Sequence, residues 1–295
     1  CGLGPEARVL GTDRYTLCVP RDMTRKSLFL LVALSFLSFG FGQSRIDGPG
    51  TGKEVSVHLR TLPHTAFKAG ERLTYIVHYG FLNAGLAVLE LKETDVEFQG
   101  RRMLHAVGTG KSMGAFNTFY KVDDRYESYF DSVGVFPWAF KRSVDEGGYT
   151  FNQDYIFLQN RAEVTTQEKK TFSIPAHTQD MISAFYFART LDFGNAAKGD
   201  VFTIDCFLDN EHWPLQMKVM GRETIKLRNG KFRCIKFQPI VQEGRVFKTN
   251  DDLNVWVTDD ANHIPVLAQA KVLVGSIKME LDSYSGLTNP ISKVE

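Results

Sequence analysis

Gly110-Lys111-Ser112-Met113-Gly114 has the G-x-S-x-G spacing of a nucleophile elbow, in which a serine stands on a sharp turn between a strand and a long helix. Met103–Thr109 can supply the strand, but the run AFNTFYKVDDRYESYF that follows reads as a short loop and another strand. No alternation of strands and helices surrounds it, so Ser112 is not assigned as a nucleophile. Gly108-Thr109-Gly110-Lys111-Ser112 ends like a phosphate-binding loop, yet His105 stands where its first glycine is required. The seven histidines (His58, His64, His78, His105, His177, His212, His263) form no HxH, HExxH or Cys/His cluster, so no metal site and no cofactor is assigned. Asp123-Asp124, Asp251-Asp252 and Asp259-Asp260 lack the spacing of a calcium loop, and Asp259-Asp260-Ala261-Asn262 reads as a turn. An enzyme would need a site assembled from distant strands, around Asp123, Asp124, His177 and Asp180. This is the minority reading, and no catalytic residue is assigned.

Polar residues of another kind sit on the one stretch that turns helical, His177–Leu191 (HTQDMISAFYFARTL). Met181, Ile182, Phe185, Tyr186 and Ala188 fall on one broad apolar stripe. Thr178 reads as the N-cap and Asp180 as a first-turn carboxylate at the positive end of the helix dipole, with Pro175 and Gly194 as punctuation. Gln179, Asp180 and Ser183 lie on the first turn and Arg189 on the third. They read first as fasteners and second as ligand contacts. Arg189 is expected to pair with a strand carboxylate such as Glu127 or Asp145, because a buried charge needs a partner. A lone amphipathic helix cannot bury its stripe by itself and must lie against a sheet.

The remainder of the chain is strand-like. Arg72–Tyr79 alternates Leu73, Tyr75, Val77 and Tyr79 with other residues, Gly80–Gly85 turns the chain, and Leu86–Thr94 returns. Turn signals recur at Gln99-Gly100, Ser132-Val133-Gly134, Glu146-Gly147-Gly148, Gln159-Asn160, Asn229-Gly230, Glu243-Gly244 and Asp259–Asn262, with Asn229-Gly230 the clearest type I′ candidate. The pattern predicts a mainly β protein: an antiparallel curved sheet, an incomplete or closed β-barrel-like meander, with one principal α-helix packed on it. The 23 phenylalanines mostly fill a large core. Tyr75, Tyr79, Phe185, Tyr186 and Trp256 are the candidates to line a cavity. Cys206 and Cys234 lie in strand-like runs with a third between them, so in a meander they stand about 9–10 Å apart. A disulfide needs Cα atoms within about 7 Å; free, mostly buried thiols are preferred over a bridge.

Met23–Gly42 (MTRKSLFLLVALSFLSFGFG) has the two positive charges, apolar run and small-residue end of a secretory signal peptide, with cleavage expected between Gly42 and Gln43. Residues 1–22 read as non-native upstream translation, 43–66 as a flexible mature N-terminus with a possible first strand, and 67–290 as a single β-rich domain. The mature part carries 30 Lys/Arg against 31 Asp/Glu, a net charge of −1, which leaves no footprint for nucleic acid. No second apolar run approaches the ~20 residues of a membrane span, so no transmembrane anchor is expected after cleavage.

Phe67-x-x-Gly70-Glu71-x-Leu73-x-Tyr75-x-Val77-x-Tyr79-Gly80 followed by Asn83-Ala84-Gly85 resembles the opening of the exported bacterial proteins called domain of unknown function 3108. Gln179-Asp180-x-x-Ser183-Ala184-Phe185-Tyr186-x-x-Arg189 resembles that family's helix. Gly221-Arg222-Glu223, Gly230-Lys231-Phe232, Val255-Trp256-Val257-Thr258-Asp259-Asp260 and Ile264-Pro265-Val266 resemble its closing region. The look is of a Bacteroidetes-type member. The resemblance implies a periplasmic or outer-membrane-facing β-rich protein, and it brings no catalytic residues. A weaker similarity, of fold only, is to unclosed-barrel lipoprotein carriers with a helix lid. The favoured function is a binding or carrier module for an apolar or amphipathic small ligand. The alternative is an interaction protein with a cell-envelope partner.

Overall fold

The computed structural model describes residues 57–240, 253–271 and 275–294; the signal segment, residues 1–22, Asp251-Asp252 and the turn at Glu243-Gly244 lie outside them. Strands β1 (Arg72–Tyr79), β2 (Leu82–Phe98) and β3 (Arg101–Ser112) are followed by a single helical turn, α1 (Phe116–Phe119). β4 (Asp123–Asp131), β5 (Pro137–Glu146), β6 (Tyr149–Leu158), β7 (Glu163–Thr166) and β8 (Thr171–Ser173) continue the meander to the helix α2 (Met181–Ala188). A second meander follows in β9 (Val201–Leu208), β10 (Glu211–Leu227), β11 (Gly230–Pro239), β12 (Leu253–Thr258), β13 (Pro265–Lys271) and β14 (Ser276–Ser285), with β15 (Lys293–Val294) beside β11. The described strands pair antiparallel throughout, and β1 pairs with β14 to join the two meanders into one sheet. α2 is the crossover between them, and it lies on the inner, concave face.

β1 has the bounds that alternation predicts, with Leu73, Tyr75 and Val77 buried on the inner face. β2 begins at Leu82 rather than Leu86, because Leu82 and Asn83 already pair with Tyr79 and His78. Three two-residue hairpins have positive φ at both central residues, as a type I′ turn demands: Gln99-Gly100 (φ 53° and 72°) between β2 and β3, Gly147-Gly148 (56° and 85°) between β5 and β6, and Asp209-Asn210 (49° and 67°) between β9 and β10. Asn229-Gly230 differs from expectation. Leu227 pairs with Gly230, so the turn centres on Arg228-Asn229, and the Asn229 amide donates to the carbonyl oxygens of Leu281 and Asp282 in β14. That turn is held by a neighbouring strand rather than by its own backbone preference.

The helix is shorter than its periodicity predicts. Residues ahead of it are extended, because Gln179 adds a rung to β9: its N–H donates to Asp205 O and its O accepts from Phe207 N–H, both at 2.8 Å. The N-cap is therefore Asp180, not Thr178, whose hydroxyl instead bonds Pro175 O at 2.6 Å.

The sheet does not close by hydrogen bonds, since β8 and β9 are its two ends. The seam between them is stitched in three other ways. Segment 174–180 spans it, from Ile174 N–H on Ala162 O to Gln179 on β9, with the Gln159 amide donating to Thr178 O and Pro137 O. The tip of the β9–β10 hairpin folds onto β5 and β6, where Asp209 meets Arg142 at 2.5 Å and Asn210 meets the Tyr155 hydroxyl at 3.1 Å. Phe207 then packs against Tyr155, Phe157 and Phe172 across the same seam. The principal core fills the concave face, and two smaller clusters lie outside it: Phe193 against Val219, Phe237 and Val255, and Trp138 with Met103 and Phe136.

Cys206 in β9 and Cys234 in β11 are buried free thiols, separated by β10. Burial pushes both thiols up, Cys234 to about 12, so neither is a thiolate at neutral pH. In the folded protein both thiols should resist a thiol-reactive dye at pH 8, and both should react within the dead time in 6 M guanidinium; rapid labelling of the native chain would contradict this burial.

Candidate functional site

The residues that fix α2 in place are concentrated at its two ends. At the N-terminus, Asp180 Oδ1 accepts from Ile182 N–H and Ser183 N–H, while Ser183 Oγ accepts from Asp180 N–H, a reciprocal capping box. Asp180 Oδ2 accepts from Ser128 Oγ of β4 at 2.6 Å. Burial pushes the Asp180 carboxyl up to about 6 even against those hydrogen bonds. The Gln179 amide donates to Val135 O and His177 O. Ile182 then packs close to β3, where a Cβ at Gly108 would come 3.2 Å from its Cδ1, a tight contact that the absent side chain avoids.

At the C-terminus, Arg189 is fully buried and forks onto Glu71, with Nη1–Oε1 at 2.5 Å and Nη2–Oε2 at 2.7 Å. Its Nε donates to Asn262 O and Nη2 also to Ala66 O. Burial alone would depress the guanidinium; the Glu71 carboxylate outweighs it and holds it above its ordinary value. Glu71 replaces the expected partners: Glu127 faces outward to Arg125 and His105, and Asp145 is a strand neighbour of Asp124. Phe67, Phe185 and Tyr186 rings lie 5.4–5.5 Å from the guanidinium. Beside this pair the hydroxyls of Tyr75 and Tyr186 are buried with no hydrogen-bond partner among the described residues.

The structure thus brings Tyr75, Phe185, Tyr186 and Arg189 together. Gln179, Asp180 and Ser183 sit at the other end of the same helix as fasteners. Trp256 is core-packed on β12 with Nε1 donating to Glu223 and Lys236 above its ring, and Tyr79 stands at the far end of β1 beside Phe116. That far end is the mouth, where the β1–β2, β3–β4, β5–β6 and β9–β10 turns gather. Tyr79, Phe151 and Trp213 touch the inner core there but stay partly exposed, as does Phe185 on the helix. Phe81 and Phe119 on neighbouring turns are 94% and 86% exposed.

Below the mouth, β4 and β5 bury two carboxyl groups that sequence reading did not connect. Asp124 and Glu146 both lie on the inner face, one register row apart, and each is 1% exposed. Asp124 Oδ1 accepts from Asp145 N–H at 2.9 Å, while Oδ2 has no donor unless Glu146 carries a proton. Burial first, then Glu146, pushes the Asp124 carboxyl up to about 8. The Tyr120 hydroxyl is raised to about 12 by burial and by Glu146 and Asp124. The signal that could have found Glu146 is its even spacing from Arg142 and Val144, which puts a carboxylate on the buried side of a strand.

Asp123, Asp124, His177 and Asp180, from which an enzyme site would have been assembled, are not brought together. Ser112 Oγ bonds Asn117 and Val122 N–H, with no base beside it. Asp123 is exposed beside Lys111, His177 Nε2 accepts from Arg60 N–H, and Asp180 caps the helix, so those groups occupy separate surroundings. The described residues hold no cluster of three or more metal-ligating side chains.

Glu71→Gln leaves the buried guanidinium without its counter-charge and should cost about 3–5 kcal/mol, read as a lower urea midpoint; Glu71→Leu with Arg189→Met should recover most of that loss. Asp124 binds its proton more tightly folded than unfolded, so its contribution is present below about pH 4 and is lost as pH rises through about 8. Asp124→Asn, which mimics the protonated acid, should flatten the decline in stability between pH 5.5 and 8.5 by on the order of 2–3 kcal/mol, measured by urea denaturation at both values.

Three solved structures are similar in part. A β-barrel-like protein of domain of unknown function 1849 from Brucella abortus shares 9% identity over 77% of this chain and 99% of its own, with a TM-score of 0.48. A DUF1089 family protein from Pseudomonas aeruginosa shares 9% identity over 64% and 90%, with a TM-score of 0.36. A protein described as a putative lipoprotein, from Parabacteroides distasonis, shares 10% over 76% and 99%, with a TM-score of 0.29. No curated protein sequence matches the chain. The model of the family described as "Protein of unknown function (DUF3108)" matches residues 74–282, from β1 into β14, and the chain belongs to that family.

Proposed function

We propose that this chain is an exported, non-catalytic binding or carrier module that holds an apolar or amphipathic molecule between α2 and the concave face of the sheet. The observation that carries the reading is the set of inner-face rings, Tyr79, Phe151 and Trp213, that touch the core yet keep partial exposure around the mouth. Rings in such a position can cover an acyl or alkyl chain at low entropic cost, because their two side-chain torsions are already fixed by the core beneath. The unpartnered hydroxyls of Tyr75 and Tyr186 support it further, as polar atoms on a buried wall.

In this reading the chain is cleaved between Gly42 and Gln43, 67–290 acts as one domain, and the protein works in the periplasm or facing the outer membrane. Among the described residues no helix is long and apolar enough to cross a membrane. A second reading, docking of an envelope protein, draws support from the exposed Phe81 and Phe119 on the rim. Mass spectrometry of an organic extract from mature protein purified natively without detergent should show one lipid-like molecule near one per chain. A clean extract together with a stoichiometric co-purifying envelope protein would replace the carrier reading with the docking one.

A further inference from the structure

Resting on the carrier reading, we propose that Phe81 and Phe119 are the membrane contact of the mouth: two aromatic prongs that enter the head-group boundary of a lipid bilayer and set the opening against it. Phe81 sits in the two-residue turn that links Tyr79 to Leu82, where Gly80 takes a φ of 60°. A residue at the tip of such a turn has no partner on a neighbouring strand, and its ring is almost wholly exposed, with Leu82 exposed beside it. Phe119 is the last residue of the helical turn α1 and is exposed almost as fully. Phe116 anchors that turn on the core, its ring 6.4 Å from Tyr79 and 6.5 Å from Tyr120.

Both turns are braced from below. Met113 N–H donates to Ala84 O at 2.9 Å, and Ser112 Oγ donates to Asn117 Oδ1 at 2.5 Å, so the start of α1 is tied to the β1–β2 hairpin. The two rings are therefore presented on adjoining turns at one end of the sheet, and little chain order is lost when they are covered.

The area decides the occupant. Two phenylalanine rings offer about 400 Å², at ~200 Å² each. That is about half of the ~800 Å² that each partner contributes to a stable protein interface. Rings so free of their own chain stand proud of the surface instead of forming a flat patch, so a protein or a second copy would need two matching pockets. A bilayer boundary needs none, because lipid closes around a protruding apolar group and accepts Phe and Leu to a depth of about 5–10 Å. Charge is not the attraction: Lys111, beside α1, pairs with Asp123 at 3.2 Å, and the mature part of the chain carries a net −1. Docked in this way, the mouth meets the level at which acyl chains begin, and an apolar ligand passes between them without crossing water.

The test is co-sedimentation of the mature chain with phosphatidylcholine vesicles, at low salt and at about 0.5 M salt, where surface charge is screened. The chain should partition onto the vesicles equally in both. Phe81→Ser and Phe119→Ser should each weaken partition about tenfold, and the two together about a hundredfold. The urea midpoint should stay where it is, since neither ring is part of the core. Phe81→Trp should add fluorescence that vesicles with brominated acyl chains quench beyond the quenching of the unaltered chain. No partition, partition unchanged in the double variant, or partition lost in salt would overturn the proposal. So would a dimer, or a stoichiometric envelope protein, that the double substitution abolishes, because the rings would then belong to that partner. The organic extract keeps the two readings apart: a bound lipid without vesicle binding removes the docking surface alone, and a clean extract with vesicle binding removes carriage alone.

Discussion

The Glu71 carboxylate and the Arg189 guanidinium occupy a place where neither is stable alone. Their two parallel hydrogen bonds join the residue just ahead of β1 to the C-terminal end of α2, while Asn262 O ties the same guanidinium to the β12–β13 connection. β1 is also where the two meanders meet. One ion pair therefore fixes the crossover helix relative to the joint of the sheet, and everything the helix covers inherits its position from that contact. Replacing such a pair by apolar side chains can be energetically neutral. What it contributes is direction: a bidentate fork accepts one orientation, whereas an apolar end would slide along the core.

The two ends of α2 use different physics for the same purpose. At the C-terminus a full charge pair works in the absence of water. At the N-terminus, Asp180 meets backbone N–H groups, Ser183 and Ser128, and burial raises its carboxyl toward neutrality. Between the clamps, Gly108 admits Ile182 to the surface of β3. The helix is thus held by its polar residues and aimed by its apolar ones.

Much of this was legible in the sequence because period-2 and period-3.6 patterns are local. Arg72–Tyr79 announced β1, and the spacing of Met181, Ile182, Phe185 and Tyr186 announced the helix. The limits were equally physical. Residues ahead of Asp180 look helical, but Gln179 finds a better use for its backbone as a rung on β9, and no local pattern encodes that long-range bond. Arg189 called for a carboxylate, and only the fold could choose Glu71, 118 positions away. The acid pair was obscured for a different reason. Asp124 was read together with its neighbour Asp123, although in a strand adjacent residues face opposite ways, and its real companion was Glu146 across the ladder.

An open sheet exposes two unpaired borders, and each is a template on which another chain could add a strand. Here β8 is only three residues long, too brief to template much, and the border of β9 already carries the peptide of Gln179. The connector that stitches the seam is therefore also a guard. It covers the Asp205–Phe207 stretch of the β9 border with the chain's own backbone, leaving the circumference unsealed but that stretch of edge taken.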